Sequence, residues 1–420
     1  MGIPYLITFK PYGRFYFGTP QSFGESFYAL SSMFPTQTTI LGTLRATILK
    51  QNGLLDLHTR KPKTDSNGDL LNEVKELTGT SKMSDLFDND DNFGKILKIS
   101  PVFIVRQEEG SECVEDFLLP VPADVVFDYD KNEKKENGSP KINGLKLLEF
   151  KEQNIKGVKV FSRNEISTKL YSLDKKSKEH TADYMGGILL WKSYAEFKMK
   201  HELVYHPHYL TSNIFLPDSQ PGIARENRKT KEEHFYTKRD FRLNESFSFG
   251  VIVHFSEQNV IKDYDVIMGG EKSLFRLTVK LVNENTFPYR EHPIIKRFIN
   301  ENDFGDLYSS NIKNTNVSKL VALSPIIGNN ATINGIDFAI INEMYIHRNI
   351  EFDGGLRKKS ISYSAIPYGS VLFVNNNFGI NPSTIPPIPR KIGFNFLMGL
   401  YLSLTTSPIN LFKFSSRFSS

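Results

Sequence analysis

The sequence predicts an α+β fold in which strands outnumber helices. Aromatic residues form 12% of the 420 residues, a high share that is typical of β-rich chains. Short apolar runs recur along the chain, but helical segments do not separate them at the regular spacing of a parallel α/β fold. The chain is also long for a single core. We therefore expect two ferredoxin-like domains, residues 1–215 and 216–420, with insertions and a long β-hairpin.

The first fifty residues predict a strand, a loop and a helix. An apolar strand at 5–9 leads into an aromatic and basic loop at 10–18. Thr36 or Thr38 can cap a helix that ends at Gly53 and has an apolar stripe at helical spacing. Gly42 lies off this stripe and costs about 1 kcal/mol of helix propensity relative to alanine, which suggests close approach of a backbone or a ligand.

The middle of the chain predicts two polar insertions between short strands. Residues 56–95 are rich in turn formers and are expected to lie outside the core, and 130–141 is a charged surface loop. Residues 169–200 favour a helix that Gly186 and Gly187 interrupt, with Trp191 as a core anchor. The predicted strands are 96–99, 102–105, 117–120, 125–127 and 157–161.

The C-terminal half predicts a hairpin followed by further strands. Residues 223–242 form the strongest charge cluster and lead into an apolar strand at 249–255. A turn at Gly269 and Gly270 enters an alternating strand, and more strand signals follow towards the C-terminus.

Several classes of function lack the residues that they need. Cys113 is the only cysteine, so the chain offers neither an internal disulfide nor a multi-cysteine zinc site, and we expect no metal and no cofactor. No phosphate-binding motif of the Walker type occurs. The chain lacks a signal peptide and a long apolar run, so we expect a cytoplasmic protein that contacts no membrane. A net charge of +5 is mild, and only local clusters of basic residues can indicate a polyanionic partner.

The loop at 10–18 is the first such cluster. Lys10 and Arg14 stand among Tyr12 and three consecutive aromatic residues at 15–17, which suits phosphate contact together with stacking on exposed bases. The alternative is the edge of a core strand with a solvated arginine. Arg45, taken alone, is expected to be an ordinary surface arginine of the first helix.

The hairpin segment is the second cluster. Between 223 and 242 there are seven Arg or Lys residues and four Asp or Glu residues, with aromatic residues interleaved, as in an RNA-contacting hairpin. Its candidate RNA-binding residues are Arg225, Arg228, Lys229, Lys238 and Arg239. The alternative is a solvated loop with internal ion pairs. At the later glycine turn, Lys272 and Arg276 can hold a phosphate beside the exposed amides of Gly269 and Gly270.

Four blocks of sequence carry a resemblance to a known family. Residues 34–45, 222–236, 269–271 and 366–370 resemble, in this order, the third subunit of type III-B CRISPR Cmr effector complexes. The resemblance implies a repeat-associated fold of two ferredoxin-like domains and a subunit without catalytic residues. It also implies contacts to the large polymerase-bearing subunit and to the adjacent backbone subunit.

The resemblance further implies a grip on the 5′ repeat-derived tag of the CRISPR RNA. The first-helix motif with Thr38, Gly42 and Arg45, together with Gly222 and the later glycine turn, would cradle the tag. The hairpin would act as a thumb that interrupts the guide–target duplex, close to the target RNA. Ala224 and Glu226 depart from the more glycine-rich and basic pattern of the family, which affects the phosphate contacts expected there.

Two alternatives differ in kind from this hypothesis. One is a metal-independent repeat endoribonuclease of the same superfamily, with His234 as general base. The other is a protein-only scaffold whose aromatic surface docks neighbouring subunits.

Overall fold

The computed structural model has a mixed α+β fold in which sheets dominate and helices are few. Eight strands form the largest sheet. The described residues are 2–18, 27–56, 58–59, 61–81, 90–108, 111, 113–134, 140–147, 150–153, 160–161, 166–167, 170–173, 184–195, 205–226, 229–269, 272–283, 292–300, 317–328, 334–341, 345–353, 356–379, 389, 391–394 and 397–401.

The strands and helices are numbered in chain order. The strands are β1 (Ile3–Pro11), β2 (Arg14–Phe15), β3 (Phe17–Gly18), β4 (Phe27–Ser32), β5 (Ile96–Ile99), β6 (Phe103–Arg106), β7 (Asp116–Pro120), β8 (Val125–Lys134), β9 (Pro140–Leu147), β10 (Phe150–Gln153), β11 (Val160–Phe161), β12 (Ile166–Ser167), β13 (Leu170–Leu173), β14 (Met185–Gly186), β15 (Phe215–Glu226), β16 (Lys229–Leu243), β17 (Phe247–Phe255), β18 (Tyr264–Met268), β19 (Ser273–Leu281), β20 (Val317–Ala322), β21 (Ile326–Gly328), β22 (Asn334–Ile340), β23 (Tyr345–Asp353), β24 (Leu356–Ile366), β25 (Val371–Gly379) and β26 (Leu397–Tyr401). The helices are α1 (Gln37–Gln51), α2 (Asn72–Thr78), α3 (Ile188–Ala195), α4 (Thr211–Ile214) and α5 (Pro293–Ile299).

The first sheet draws strands from both sides of the boundary expected at residue 215. Its order is β14-β7-β6-β17-β1-β19-β18, and β5 also pairs with β17. β17 lies between β1 and β6, antiparallel to both, and every residue of this strand is buried. The central strand of this sheet therefore comes from the second half of the chain.

The second sheet is built on a long hairpin. β15 and β16 pair antiparallel from Phe215 opposite Leu243 to Glu226 opposite Lys229. β16 also pairs with β2 and, in parallel, with β4, and β4 pairs with β3. The segment 223–242 includes the outer part of this hairpin and most of β16, and the paired base extends back to Phe215.

The C-terminal strands form two further sheets, in the orders β22-β25-β20-β26 and β21-β24-β23. A buried ion pair between Lys319 on β20 and Asp124 ties the first of these to the N-terminal half. The Tyr194 hydroxyl on α3 donates to the same carboxylate at 2.8 Å. Three two-stranded ladders, β8-β9, β10-β13 and β11-β12, complete the described sheets.

The first helix and the tryptophan anchor agree with the sequence predictions. The Thr36 hydroxyl accepts a hydrogen bond from the amide of Thr39, and Gly53 follows the helix with a φ of +68°. The predicted apolar stripe of α1 is buried and consists of Ile40, Leu41, Leu44 and Ile48. Trp191 on α3 is also fully buried.

Part of the segment 56–95 packs into the protein, contrary to expectation. α2 packs on α1, Val74 is buried, and Phe93 belongs to the main core. Gly79 and Gly94 allow the chain to fold back tightly here, because a Cβ on either would lie within 2.7 Å of the other segment's backbone. Isolated apolar residues among polar ones gave no periodic signal for this packing.

Two other predictions of local structure were wrong. The described residues of the segment 130–141 lie on strands and not in a loop, since Val125–Lys134 and Pro140–Leu147 form an antiparallel ladder in which Asp130 lies opposite Lys141. Only Ile188–Ala195 of the segment 169–200 is helical among its described residues, and Leu170–Leu173 pairs with Phe150–Gln153 as a strand. Backbone pairing with a partner strand outweighs local propensity at both places.

The buried His292 makes stability depend on pH. Its Nδ1 accepts from the amide of Ile294 at the start of α5, its ring packs against Phe117, and burial lowers its pKa to about 4. In the unfolded chain His292 binds a proton near pH 6.5. Its contribution to stability is therefore fully present above that pH and is lost as the pH drops towards 4. A shift of this size corresponds to up to about 3 kcal/mol.

The matched variant is His292→Asn, which keeps a side-chain acceptor for the helix start but does not titrate. Urea unfolding at pH 7 and pH 4.5 should show a larger loss of stability in the wild-type protein than in the variant. Equal losses in the two proteins would contradict this role of His292.

Candidate nucleic-acid interface

Seven phenylalanine rings form a buried cluster at one end of the first sheet. Phe249 on β17 lies at its centre, with ring centroids 5.4 Å from Phe15, 5.8 Å from Phe17 and 6.1 Å from Phe34. The aromatic cluster consists of Phe15, Phe17, Phe34, Phe215, Phe241, Phe249 and Phe275. The rings of Phe15 and Phe17 therefore belong to the core and are not free to stack on bases.

The aromatic cluster joins three of the four blocks that carry the family resemblance, and it supports the base of the hairpin that carries the remaining block. Phe34 begins the first block, and its ring lies 5.1 Å from that of Tyr368 in the last block. Phe241 anchors the base of the hairpin that carries the second block. The glycine turn of the third block lies against the backbone of Tyr16 and the ring of Phe17, which belongs to the cluster. Segments more than 300 residues apart in sequence thus meet at one place.

The base of the hairpin holds several cations in place. Asp218 on β15 pairs with Arg14 at 3.6 Å and with Arg242 at 3.1 Å. On the same strand as Arg242, Lys238 pairs with Asp240 at 3.2 Å, and its ammonium lies 4.9 Å from the centre of the Tyr16 ring. Sequence reasoning missed Arg242 and its partner Asp218, since only the strand register brings Asp218 between two arginines from distant segments.

The outer part of the hairpin is described only in its backbone. Gly222, Arg225 and Lys229 lie on the paired strands, with Gly222 opposite Tyr236. Arg228 lies outside the described residues, as do the side chains of Arg225 and Lys229. The side chain of His234, the candidate base of the endoribonuclease hypothesis, lies outside them as well.

The glycine turn requires the conformation that its sequence predicts. Gly269 has a φ of +86°, and a Cβ there would lie 2.4 Å from the carbonyl oxygen of Tyr16. Lys272, with a φ of +57°, is exposed beside this turn. Gly270 lies outside the described residues. The close approach explains Gly269 through packing, and it fixes the turn directly on the loop 10–18.

The first helix contributes less to an open surface than expected. Thr38 is half-buried, 3.0 Å from the capping hydroxyl of Thr36. Gly42 is exposed, and a Cβ there would meet no atom within 4 Å, so no part of the described chain approaches it closely. Its position leaves room for a ligand but does not require one.

Arg45 is directed into the protein and is not the ordinary surface residue that its position suggested. Its Nη1 donates to the carbonyl of Ser81 at 2.9 Å, and its guanidinium lies 5.2 Å from the centre of the Phe93 ring. Burial lowers its pKa to about 10, so the side chain stays charged at neutral pH. Arg45 thus fastens the loop after α2 to α1.

Lys10 and Arg276 lie on the opposite face of the first sheet from the aromatic cluster. They are directly opposite each other on β1 and β19, and Arg276 alternates with the buried Phe275. Arg276 pairs with Asp265 at 3.2 Å and more weakly with Asp263 at 3.9 Å. Within the described part of the chain, Lys10, Arg239 and Lys272 are exposed cations with no ion-pair partner.

The described residues provide neither a metal site nor a membrane-spanning helix. No group of three or more His, Cys, Asp or Glu residues is arranged to hold a metal ion there. None of the helices in these ranges is long and apolar enough to cross a membrane.

Comparison with known proteins gives a family match and distant structural similarities. Residues 7–292, more than half of the chain, match the sequence model described as CRISPR-associated protein (Cas_Cmr3). No protein of curated function matches the sequence.

Similar chains occur in solved structures of other complexes. One is a type III-B Cmr-beta complex bound to cognate target RNA and AMPPnP, with 15% identity, a TM-score of 0.44 and coverage of 94% of this chain and 96% of that chain. The same complex with cognate target RNA gives 15% identity, a TM-score of 0.43 and the same coverage. A type III-A Csm3–Csm4 subcomplex gives 11% identity, a TM-score of 0.33 and coverage of 90% and 94%.

The family match confirms the family that the sequence resembles, and the first three of the four blocks lie within the matched residues. The chain belongs to the Cas_Cmr3 family of CRISPR-associated proteins, the third subunits of type III-B Cmr complexes.

Proposed function

We propose that this chain is a non-catalytic RNA-binding subunit of a type III effector complex and that it grips the 5′ repeat-derived tag of the CRISPR RNA. The observation that carries the proposal is that the aromatic cluster brings together three of the four family blocks and the base of the hairpin that carries the other. Exposed cations lie on the loop, the hairpin and the glycine turn, which share this aromatic base as their support.

The charges around the aromatic cluster suit exchange with RNA phosphates. Arg14 and Arg242 share the single carboxylate of Asp218, and both side chains are about half exposed. Exposed ion pairs of this kind contribute at most about 1 kcal/mol each, so a phosphate can replace the carboxylate at little cost. Asp218 then serves to hold the two arginines ready before RNA binds.

The remaining parts of the proposal follow from family membership. The two domains are ferredoxin-like, and the hairpin is the thumb that interrupts the guide–target duplex close to the target RNA. The subunit docks to the large polymerase-bearing subunit and to the adjacent backbone subunit. Incubation of the purified protein with repeat RNA in EDTA should leave the RNA intact, and cleavage there would favour the endoribonuclease alternative.

Filter binding with matched RNAs tests the proposal. One RNA carries the repeat-derived tag at its 5′ end, and the control has the same length and composition with the tag scrambled. We expect the tagged RNA to bind at least about ten-fold more tightly, a difference of about 1.4 kcal/mol. Equal binding of both RNAs would contradict tag recognition, and absence of binding to either would favour a protein-only scaffold.

A further inference from the structure

A second surface lies on the outer face of the first sheet, the side of β1, β18 and β19 that carries Lys10, Asp265 and Arg276. α5 covers this side of the sheet at β17, where the His254 Nε2 lies 2.9 Å from the carbonyl oxygen of Phe298. Further along, Tyr12 is 60% exposed, and Ile267 and Leu274 are each nearly half exposed.

The Tyr12 side chain reaches across this face. Its amide donates to the carbonyl of Leu274, so its backbone stands beside β19. Its hydroxyl donates at 2.7 Å to Oδ1 of Asp265, which belongs to β18 on the far side of β19. Two strand spacings amount to about 10 Å, so the ring must cross β19 to reach this partner.

The ring is also held in one orientation. The carboxylate oxygen that accepts from Tyr12 also accepts from Nη1 of Arg276 at 3.2 Å. The hydrogen bond to Asp265 raises the pKa of Tyr12, so the phenol keeps its proton and remains a donor. Water could satisfy an exposed hydroxyl equally well, so the main effect of this network is to fix the ring. A ligand that stacks on a fixed ring does not have to order it first.

The surroundings favour RNA over a protein as the ligand. Charged side chains of Lys10, Asp265 and Arg276 separate the few apolar ones, whereas the cores of protein interfaces are depleted of charge. Lys10 precedes Tyr12 by two residues on the same face, and Lys272 precedes Leu274 by two residues at the glycine turn. Gly13 and Arg14 continue the chain directly into the proposed tag interface.

We propose that Tyr12 is a stacking platform for one unpaired base of single-stranded RNA, with Lys10 and Lys272 placed to contact the neighbouring phosphates. The inference rests on the proposed function and extends it to the outer face of the sheet. Stacking on an aromatic side chain tolerates any base, because every base has a π face. The platform therefore holds the strand without reading its sequence.

The test uses the full chain and a set of tagged RNAs, each with 2-aminopurine at one position. In the wild-type protein, binding should quench the fluorescence at one or two neighbouring positions. Tyr12→Leu should abolish this quenching and weaken binding about ten-fold, within the range known for base stacking. Tyr12→Phe keeps the ring but loses its anchor, so it should retain the quenching with a smaller loss of affinity. Ile267→Ala on the same face is the control and should bind like the wild type.

The outcomes separate this inference from the proposed function. Normal affinity and quenching in Tyr12→Leu, or quenching at no position in the wild-type protein, would overturn the platform and leave tag binding intact. Failure of the wild-type protein to bind any RNA would overturn both. Normal RNA affinity in Tyr12→Leu, with loss of co-purifying subunits, would assign the face to a protein and also overturn the platform. Because Tyr12 is exposed, its variants should unfold at the wild-type temperature.

Discussion

Replacing Phe249 with alanine is expected to lower the free energy of unfolding by about 3–5 kcal/mol. Its fully buried ring contacts rings from the loop 10–18, from the entrance to α1, from the hairpin and from β19. The alanine variant leaves a cavity at the one point that all these segments share. RNA affinity should fall as well, because the hairpin and the loop lose their common support. Urea unfolding measures the loss of stability.

Two comparison variants make this prediction specific. Phe249→Leu keeps most of the volume and should cost less than about 1.5 kcal/mol. Leu274→Ala removes a side chain that is 46% exposed and should change stability by no more than about 0.5 kcal/mol. A cost for Phe249→Ala close to that of Leu274→Ala would show that the aromatic cluster is not the support that we describe.

Replacing Lys10, Arg239 and Lys272 together with glutamine is expected to weaken binding of tagged RNA about 100-fold at 0.1 M salt. Each exposed cation releases counterions when it contacts a phosphate, and a single strand contributes about 0.7 to the logarithmic salt slope per contact. Loss of three contacts should therefore reduce this slope by about 2. Measurement of affinity at several salt concentrations gives both values.

The control is a second triple variant with the same change of charge, made at the C-terminal end of α1. Lys61, Lys63 and Lys262 are exposed, and Gln51 at the C-terminal end of α1 donates to the carbonyl of Lys262. Glutamine at these three positions should leave both the affinity and the salt slope unchanged. If both triple variants lose the same affinity, the effect belongs to net charge and not to the interface.

The features that the sequence predicted correctly are local ones. The first helix follows from a threonine cap, an apolar stripe and a terminal glycine, which all lie within eighteen residues of one another. The turn at Gly269 follows from a glycine pair between two apolar runs. In both cases the signal depends on neighbours in sequence.

The features that sequence reasoning missed depend on contacts between distant segments. Arg45 faces inward because the chain returns at Ser81 and Asn92 to accept its hydrogen bonds. The strand β17 enters the first sheet between two strands of the N-terminal half, and no periodicity within β17 shows its neighbours. The ion pairs that hold Arg14 and Arg276 follow from strand register, whereas Lys238 pairs with Asp240, two residues further along the same strand.

Photocrosslinking of tagged RNA to the full chain tests the central claim most directly. The RNA carries 4-thiouridine within the tag, and mass spectrometry identifies the crosslinked peptides. We predict crosslinks in the loop 10–18, in the hairpin base at 237–242 and at the glycine turn 269–276. Crosslinks confined to the opposite end of α1, around Lys61 and Lys262, would contradict the claim that the RNA tag binds around the aromatic cluster.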